Sequence, residues 1–585
     1  MASPLETIKS RLPHLDLRHL SLVTPNPVRV QEWTSSLPKV NVGECSRQVY
    51  LTLQELNRLQ TDVKNRIGIL EALRPTVYFL CQALSRHYLG QPIILPEKAA
   101  KVATLAQAMQ NHLAIGYKIA CVELIESKQD PEQQKLLALA LHRSITDLGA
   151  SYLRCCQLYL NPPQHLWHEL HNLFLLAQRA VSTQRTITDP IHTLVPSTGI
   201  DDAYLQVMLL ATCRPYQLRQ QDIVLTYNIS ELWTERVRMR VRTSEDRLYV
   251  FNPDSDCPPM YASQAKNIAN GPLQALVLDD LVSRLQDLLL AHKGNITGKQ
   301  GEEALSPELL RHLIHAWGDL SERSFKRSSQ QGILNVCVGM SATHYFLAGA
   351  RSFEDTLQQH SSERYIDRLQ SLQTKADPWS GAYKDQNRPG DILGDIEFSG
   401  NKTQNQTPQH HLYSTQIVNT SPGGYGLAWL GETPVNVRNG EVIGLQPGID
   451  EHISIGVIRW LRQLPGLKAE FGVEILSPRA EACAVKIVRK TGETSDFLRA
   501  IILPELNSIG KPMTVLVPNI VFKTGTQVIL NLHGQEHRLE LGRLVMSTAN
   551  LCQFEFSGQG LTGQPANGDK QKKPGDDFDS IWSSL

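Results

Sequence analysis

Residues 440–476 read GEVIGLQPGIDEHISIGVIRWLRQLPGLKAEFGVEIL, and three short runs within them, EVIGLQ, ISIGVIRWLR and AEFGVEIL, are rich in β-branched residues. Pro-Gly pairs at 447–448 and 465–466 mark the turns between them. The same pattern extends outward on both sides. ILNVCVGM (333–340) and LYSTQIVN (412–419) precede it, while CAVKIVRK (483–490), PMTVLVPN (512–519), QVILNL (527–532) and LCQFEF (551–556) follow. Short strands at this spacing, punctuated by glycine and proline, predict an antiparallel β-barrel. One polar segment breaks the series. Residues 351–410, with SSER, DPWSG, DQNRPGD and NKTQNQTPQHH, read as an exposed insertion.

Further upstream the period changes. Between 48 and 88, Val49, Leu51, Leu53, Leu56 and Leu59, then Ile67, Ile69, Leu70 and Leu73, suit helical spacing, with Pro75 expected to end one helix or start the next. Helices are predicted at about 97–127, 131–160, 163–184 and 201–212. Asp130-Pro131-Glu132 and Asn161-Pro162-Pro163 supply capping side chains followed by proline. Short links between apolar-faced helices suggest an antiparallel, solenoid-like stack without a fixed repeat. DIVLTYNI, RVRMRVRT and RLYVFNP then predict strands within 222–263, followed by helices near 272–292 and 306–320. The fold class is therefore multidomain α+β, with a helical N-terminal half, then a barrel and a strand-rich extension. The expected divisions are an N-terminal segment 1–45, a helical domain 46–220, and a small strand-rich module with connecting helices 221–320. The barrel 321–480 carries the insertion 351–410, and the extension 481–556 leads into a disordered tail 557–585.

Composition narrows the function. Lysine plus arginine equals aspartate plus glutamate at 58 each, so no excess positive charge supports DNA or RNA binding. No uninterrupted apolar run approaches the roughly 18 residues of a membrane span, and the first ten residues lack a signal-peptide core. Ten scattered cysteines without a CxxC pair suit buried thiols in a reducing cytoplasm.

Two short motifs flank the first barrel strands. Arg323-Ser-Phe-Lys-Arg327 is an RxxxR ahead of ILNVCVGM, and Asn419-Thr-Ser421-Pro-Gly-Gly424 fits [DN]xSxxG at the end of LYSTQIV. In this order, and followed by GVIRW and FGVEIL, they resemble the PilZ family of bacterial cyclic di-GMP receptors. The resemblance implies a PilZ-like β-barrel in which Arg323 and Arg327 hold phosphates while Asn419, Ser421 and Gly424 receive a guanine. Here 92 positions separate Arg327 from Asn419, far more than in the family, and the segment 351–410 accounts for most of the excess. The chemistry is apt. A guanidinium forks onto phosphate oxygens and stacks on purines. Short Asn and Ser side chains can bond a guanine edge, where glycine lets the backbone approach.

Competing sites are poorer. His165, His168 and His171 recur at spacing three but lack the acidic or cysteine ligand of a metal set. His410-His411 sit in a polar stretch, and GMSATH (339–344) lacks a GxSxG elbow and any helix signal. GYGLAWLG (424–431) has no GK[ST]. No catalytic residue, metal or cofactor is expected. The reading is a non-enzymatic cytoplasmic sensor that binds cyclic di-GMP and changes its domain arrangement and partner contacts. The alternative is a ligand-free scaffold of the same fold that serves as a protein-interaction platform. At the C-terminus Phe578, Ile581, Trp582 and Leu585 share one helical face, which suits docking into a groove on an unknown protein partner; the alternatives are a tail that folds back on its own helical domain and one without a role.

Overall fold

A computed structural model describes residues 3–127, 130–192, 194–246, 248–265, 271–291, 301–318, 328, 332–357, 410–430, 433–447, 452–466, 468–489, 492–506, 510–520 and 522–558. The chain divides into two compact units, Met1–Glu322 and Arg323–Leu585.

The first unit is a helical stack with a small sheet. Its helices are α1 (Pro4–Lys9), α2 (Pro27–Ser36), α3 (Val42–Leu56), α4 (Val63–Ser85), α5 (Glu97–Glu126), α6 (Pro131–Gln157), α7 (Leu166–Ala180), α8 (Ile200–Thr212), α9 (Gln220–Ile229), α10 (Asp279–Ala291) and α11 (Pro307–Gly318). A hairpin of β1 (Ile187–Thr188) and β2 (Ser197–Thr198) joins α7 to α8. Strands β3 (Arg238–Val241), β4 (Tyr249–Phe251), β5 (Met260–Tyr261) and β6 (Gln274–Val277) form a sheet in the order β3-β6-β4-β5.

Local chemistry explains the helix starts, with exceptions. Asp130 caps α6 by accepting from Gln133 N at 2.8 Å, ahead of Pro131 at the first helical position. The predicted cap at Asn161-Pro162-Pro163 is corrected. Helix α7 begins at Leu166, and the carboxylate of Asp256, ninety residues downstream, accepts from His165 N (2.6 Å) and His168 N (3.1 Å). Pro75 is also corrected, because α4 runs unbroken through it. Leu70, Leu73, Val77 and Leu80 are fully buried on either side, and their packing outweighs the lost backbone bond. DIVLTYNI, predicted as strand, is helix α9, since Ile223, Thr226, Tyr227 and Ser230 bury one helical face. Residues 274–277, predicted within a helix, form β6, and helix α10 begins only at Asp279.

The helices are tied by a buried ionic network. Arg74 of α4 and Arg143 of α6 both reach Asp189, at 2.7 and 2.9 Å, while Arg143 also meets Glu71 at 3.0 Å. Tyr78 and Gln110 donate to Asp147 at 2.7 and 3.0 Å. Burial pushes the Asp147 carboxyl up to about 6. Against the same burial effect, Arg74 and Arg143 hold Asp189 down at about 2.

The second unit contains two closed barrels. The first comprises β7 (Ile333–Val338), β8 (Tyr413–Ser421), β9 (Gly424–Trp429), β10 (Val442–Gln446), β11 (Ser454–Leu464) and β12 (Lys468–Ser477), in ring order β10-β11-β12-β9-β8-β7. Leu334, Val336, Leu427, Ile443, Leu461 and Phe471 are buried along these strands. The predicted extension is itself a barrel of β13 (Glu481–Ile487), β14 (Leu498–Leu503), β15 (Thr514–Pro518), β16 (Gln527–Leu532), β17 (Gln535–Ser547) and β18 (Leu551–Gly558). Its ring order, β13-β14-β15-β18-β17-β16, repeats that of the first.

Strands β7 and β8 are direct neighbours, so the polar segment leaves the first barrel between its first two strands. Helix α12 (Met340–Leu347) precedes it, and α13 (Phe353–Leu357) lies within its first residues. Helix α12 corrects the reading of GMSATH as lacking helix signal. Gly339 turns the chain with φ 92°, and Met340, Thr343 and His344 are buried. Residues 358–409 and the tail from 559, with Phe578, Ile581, Trp582 and Leu585, lie outside the described residues.

Candidate functional site

The site is built on the outer wall of the first barrel. Strand β8 alternates until Ile417, which pairs with Leu427 of β9 and points inward. A bulge at Val418 then shifts the register, so that Asn419 pairs with Gly426 and Ser421 with Gly424. Without the extra residue Asn419 and Ser421 would turn into the core; with it both face outward. Thr420, between them, points inward and is 4% exposed.

On its other edge Thr420 forms an antiparallel bridge with Ser328, with both N–H···O bonds at 3.0 Å. Ser328 is the residue that follows Arg327 in the chain. Ser328 and Thr420, 92 positions apart in the chain (420 − 328), are thus cross-strand partners. Arg323 and Arg327 themselves lie outside the described residues. Of the five predicted site residues, Asn419, Ser421 and Gly424 come together on one face.

The glycines have specific steric reasons. A Cβ on Gly424 would lie 1.9 Å from Val473 O, so no side chain fits there. Ser421 Oγ donates to Gly424 O at 3.3 Å and closes the two-residue turn. Gly426 is covered by the Asn419 amide, whose Oδ1 would stand 2.7 Å from a Cβ at that position.

Sequence reasoning missed the continuation of this row. Gly426 pairs with Gly472 of β12, and Gly472 pairs with Trp460 of β11. The pyrrole edge of Trp460 occupies the space above Gly472, with Nε1 at 1.7 Å from where a Cβ would be. A second bulge, at Arg459, turns Trp460 outward, and the freed Arg459 Nε meets Glu474 at 2.6 Å. The alternating glycines in GYG and FGVE were the available signal, but only pairing aligns them.

The other candidates have different roles. His171 is buried, bonded to Tyr204 Oη at 2.6 Å and Cys257 O at 3.0 Å. Burial pushes its imidazole down to about 4. His344 Nε2 bonds Cys483 O at 3.1 Å. Among the described residues no group of three His, Cys, Asp or Glu side chains could hold a metal. A cavity of about 580 Å³ in the first unit is lined by Phe174, Asp201, Asp202, Glu235, Arg238 and Phe251 among others, with no motif residue in its wall.

Three family models cover almost the whole chain. The N-terminal domain of the cyclic-di-GMP receptor FimW matches residues 28–244 and its middle PilZ domain matches 248–482. The FimW C-terminal beta-barrel domain matches 483–558. The cyclic-di-GMP receptor FimW of Pseudomonas aeruginosa is 35% identical over 611 residues, covering 99% of this chain and 100% of that protein. No solved structure matches the chain.

Proposed function

The chain belongs to the FimW family of PilZ-domain proteins, and from that premise we propose that it is a receptor for cyclic di-GMP. The observation that supports this reading is the bridge between Ser328, the residue after Arg327 in the chain, and Thr420, which stands between Asn419 and Ser421. In the proposed complex Arg323 and Arg327 fork onto the phosphates. The amide of Asn419 and the hydroxyl of Ser421 bond a guanine edge, and Gly424 lets the ligand reach the turn.

The protein acts by binding, without chemistry on the ligand. A change in how the arginines meet the nucleotide is the kind of event that biases a two-state arrangement of domains. Nucleotide binding then changes domain arrangement and partner contacts, with Phe578, Ile581, Trp582 and Leu585 as the proposed partner-binding residues.

Calorimetric titration of the full chain with cyclic di-GMP tests the proposal. Saturable binding by the wild type, weakened strongly by Asn419→Ala at unchanged melting temperature, is the expected result. An absence of binding heat and of thermal stabilisation at high nucleotide concentration would leave only the scaffold reading.

A further inference from the structure

We infer that the outer edge of β3 is a docking site for an extended peptide with acidic residues at alternate positions, which adds to the four-stranded sheet as one further strand. The site lies within the first unit and is independent of the nucleotide reading. Residues 236–242 read RVRMRVR, four arginines and no acid in a chain of zero net charge. Strand β3 ends the order β3-β6-β4-β5, so one of its edges has no strand beside it among the described residues. Arg238 pairs with Val277 and Arg240 with Ala275, and Arg242 N continues the ladder by donating to Leu273 O at 2.9 Å. In an antiparallel pair only alternate residues bond the partner strand. The arginines therefore bond β6, while the N–H and C=O groups of Met239 and Val241 point away from it along the free edge. Val241 is 63% exposed there, a β-branched side chain on an open strand.

The two faces of the sheet set the order of the occupant's side chains. Successive residues of a strand face opposite ways, so Arg238, Arg240 and Arg242 share one face while Met239 and Val241 share the other. On the arginine face Arg240 meets Asp246 at 2.7 Å. Arg238 and Arg242 make no ion pair or side-chain hydrogen bond among the described residues. The Arg242 Nε is withdrawn from solvent without a partner, and a buried donor left in that state costs free energy until an acceptor reaches it. The opposite face, with Met239, Gln274 and Phe251, borders the cavity of about 580 Å³ whose wall carries Asp201, Asp202 and Glu235. Those carboxylates disfavour an acidic side chain on that face. The pattern that fits has carboxylates on one side and neutral side chains on the other, with guanidinium–carboxylate forks fixing the register. Strand addition takes its affinity from the main chain and its specificity from alternate side chains. The same arginines exclude a second copy of this strand, because like charges on paired strands repel.

The test uses the full chain and a set of acetylated, amidated octapeptides. One alternates glutamate and threonine, one has the same residues in two blocks, and one alternates lysine and threonine. Calorimetric titration at low salt should show saturable binding of the alternating acidic peptide, weakening as salt is raised. The block peptide should bind about tenfold more weakly or worse, and the lysine peptide should not bind. In an antiparallel addition the threonines lie opposite Met239 and Val241, so N-methylating them should cost about tenfold with the charge intact. Val241→Pro removes an edge N–H and leaves the ladder to β6 alone, a place where proline is tolerated, and should lose about tenfold at unchanged melting temperature. Arg238→Glu combined with Arg242→Glu should lose at least as much. Equal binding of the alternating and block peptides, or of a single-stranded DNA octamer, would reduce the arginines to a polyanion patch and overturn strand addition. Wild-type affinity in a folded Val241→Pro overturns it as well. An alternating acidic peptide that does not bind removes the site altogether, and a dimer of the free chain that the peptide dissociates gives the edge to a second copy instead.

Discussion

The two barrels of the second unit share one ring order, yet they use the same wall in opposite ways. In the first barrel the outer face of β8, β9, β12 and β11 presents the row Asn419, Gly426, Gly472 and Trp460. The corresponding row of the second barrel, on β14, β15, β18 and β17, is Ile501, Leu516, Gln553 and Met546. Ile501, Leu503, Leu516 and Leu551 form a buried cluster with Met340, Val442 and Ile455 of the first barrel and its helix α12, with Met546 packed against it. Turn geometry differs in the same sense. Ser421 pairs with Gly424 across a two-residue turn, while Leu503 pairs with Thr514 across a longer link. A topology therefore supplies a wall, and side chains decide its use. Glycines and two bulges leave bare backbone on the first wall, where the nucleotide site is proposed; aliphatic residues on the second close it as a dock.

The largest expected effect is on the dock. Leu516→Ala should destabilise the barrel unit by about 2–5 kcal/mol, the usual cost of truncating a buried leucine. Chemical denaturation reads that loss, and nucleotide affinity of the folded variant should be unchanged. A drop in affinity equal to that of Asn419→Ala would erase the distinction between the two walls. Next is the ligand wall. Arg323→Ala or Arg327→Ala should each weaken cyclic di-GMP binding by about 1.5–3 kcal/mol, with lysine rescuing only in part. Wild-type binding by both alanine variants would separate RxxxR from the site.

A smaller effect lies at the seam. Burial, with Arg499 nearby, pushes the His344 imidazole down to about 4, where it is neutral and bonded to Cys483 O. Its folded value lies below its unfolded one, so its contribution to stability is complete above about pH 6.5. That contribution is lost as the pH falls from there through about 4. His344→Gln should therefore flatten the acid limb of the melting-temperature profile between pH 6.5 and 4, and an unaltered limb would locate the titration elsewhere. The smallest effect is expected from the polar segment. Replacing 376–408 with a brief Gly/Ser linker should leave melting temperature and affinity within error, because loop length costs little. Collapse of the transition would make the segment part of the barrel.

Much of this was legible in the chain itself. Alternation in 440–476 predicts the strands β10, β11 and β12, and Asp130-Pro131 marks the start of α6. The order of the two motifs identifies the family before any coordinates. These are local signals, carried by neighbours a few residues apart. What failed were positions where a distant partner overrides the local preference. Asp256 caps α7 in place of Asn161, and packing carries α4 through Pro75. Packing against α6 and α8 makes helix α9 of the β-branched 222–229.

The sequence by itself determined the strand and helix alphabet, the absence of net charge, and the residue types able to meet a cyclic dinucleotide. Only the tertiary structure decided which of them meet. The bridge from Ser328 to Thr420 removes a 92-position separation, the bulge at Val418 turns Asn419 and Ser421 outward, and strand pairing lines up Gly426, Gly472 and Trp460. Register and long-range pairing depend on the free energy of the whole barrel, which no local window of sequence contains.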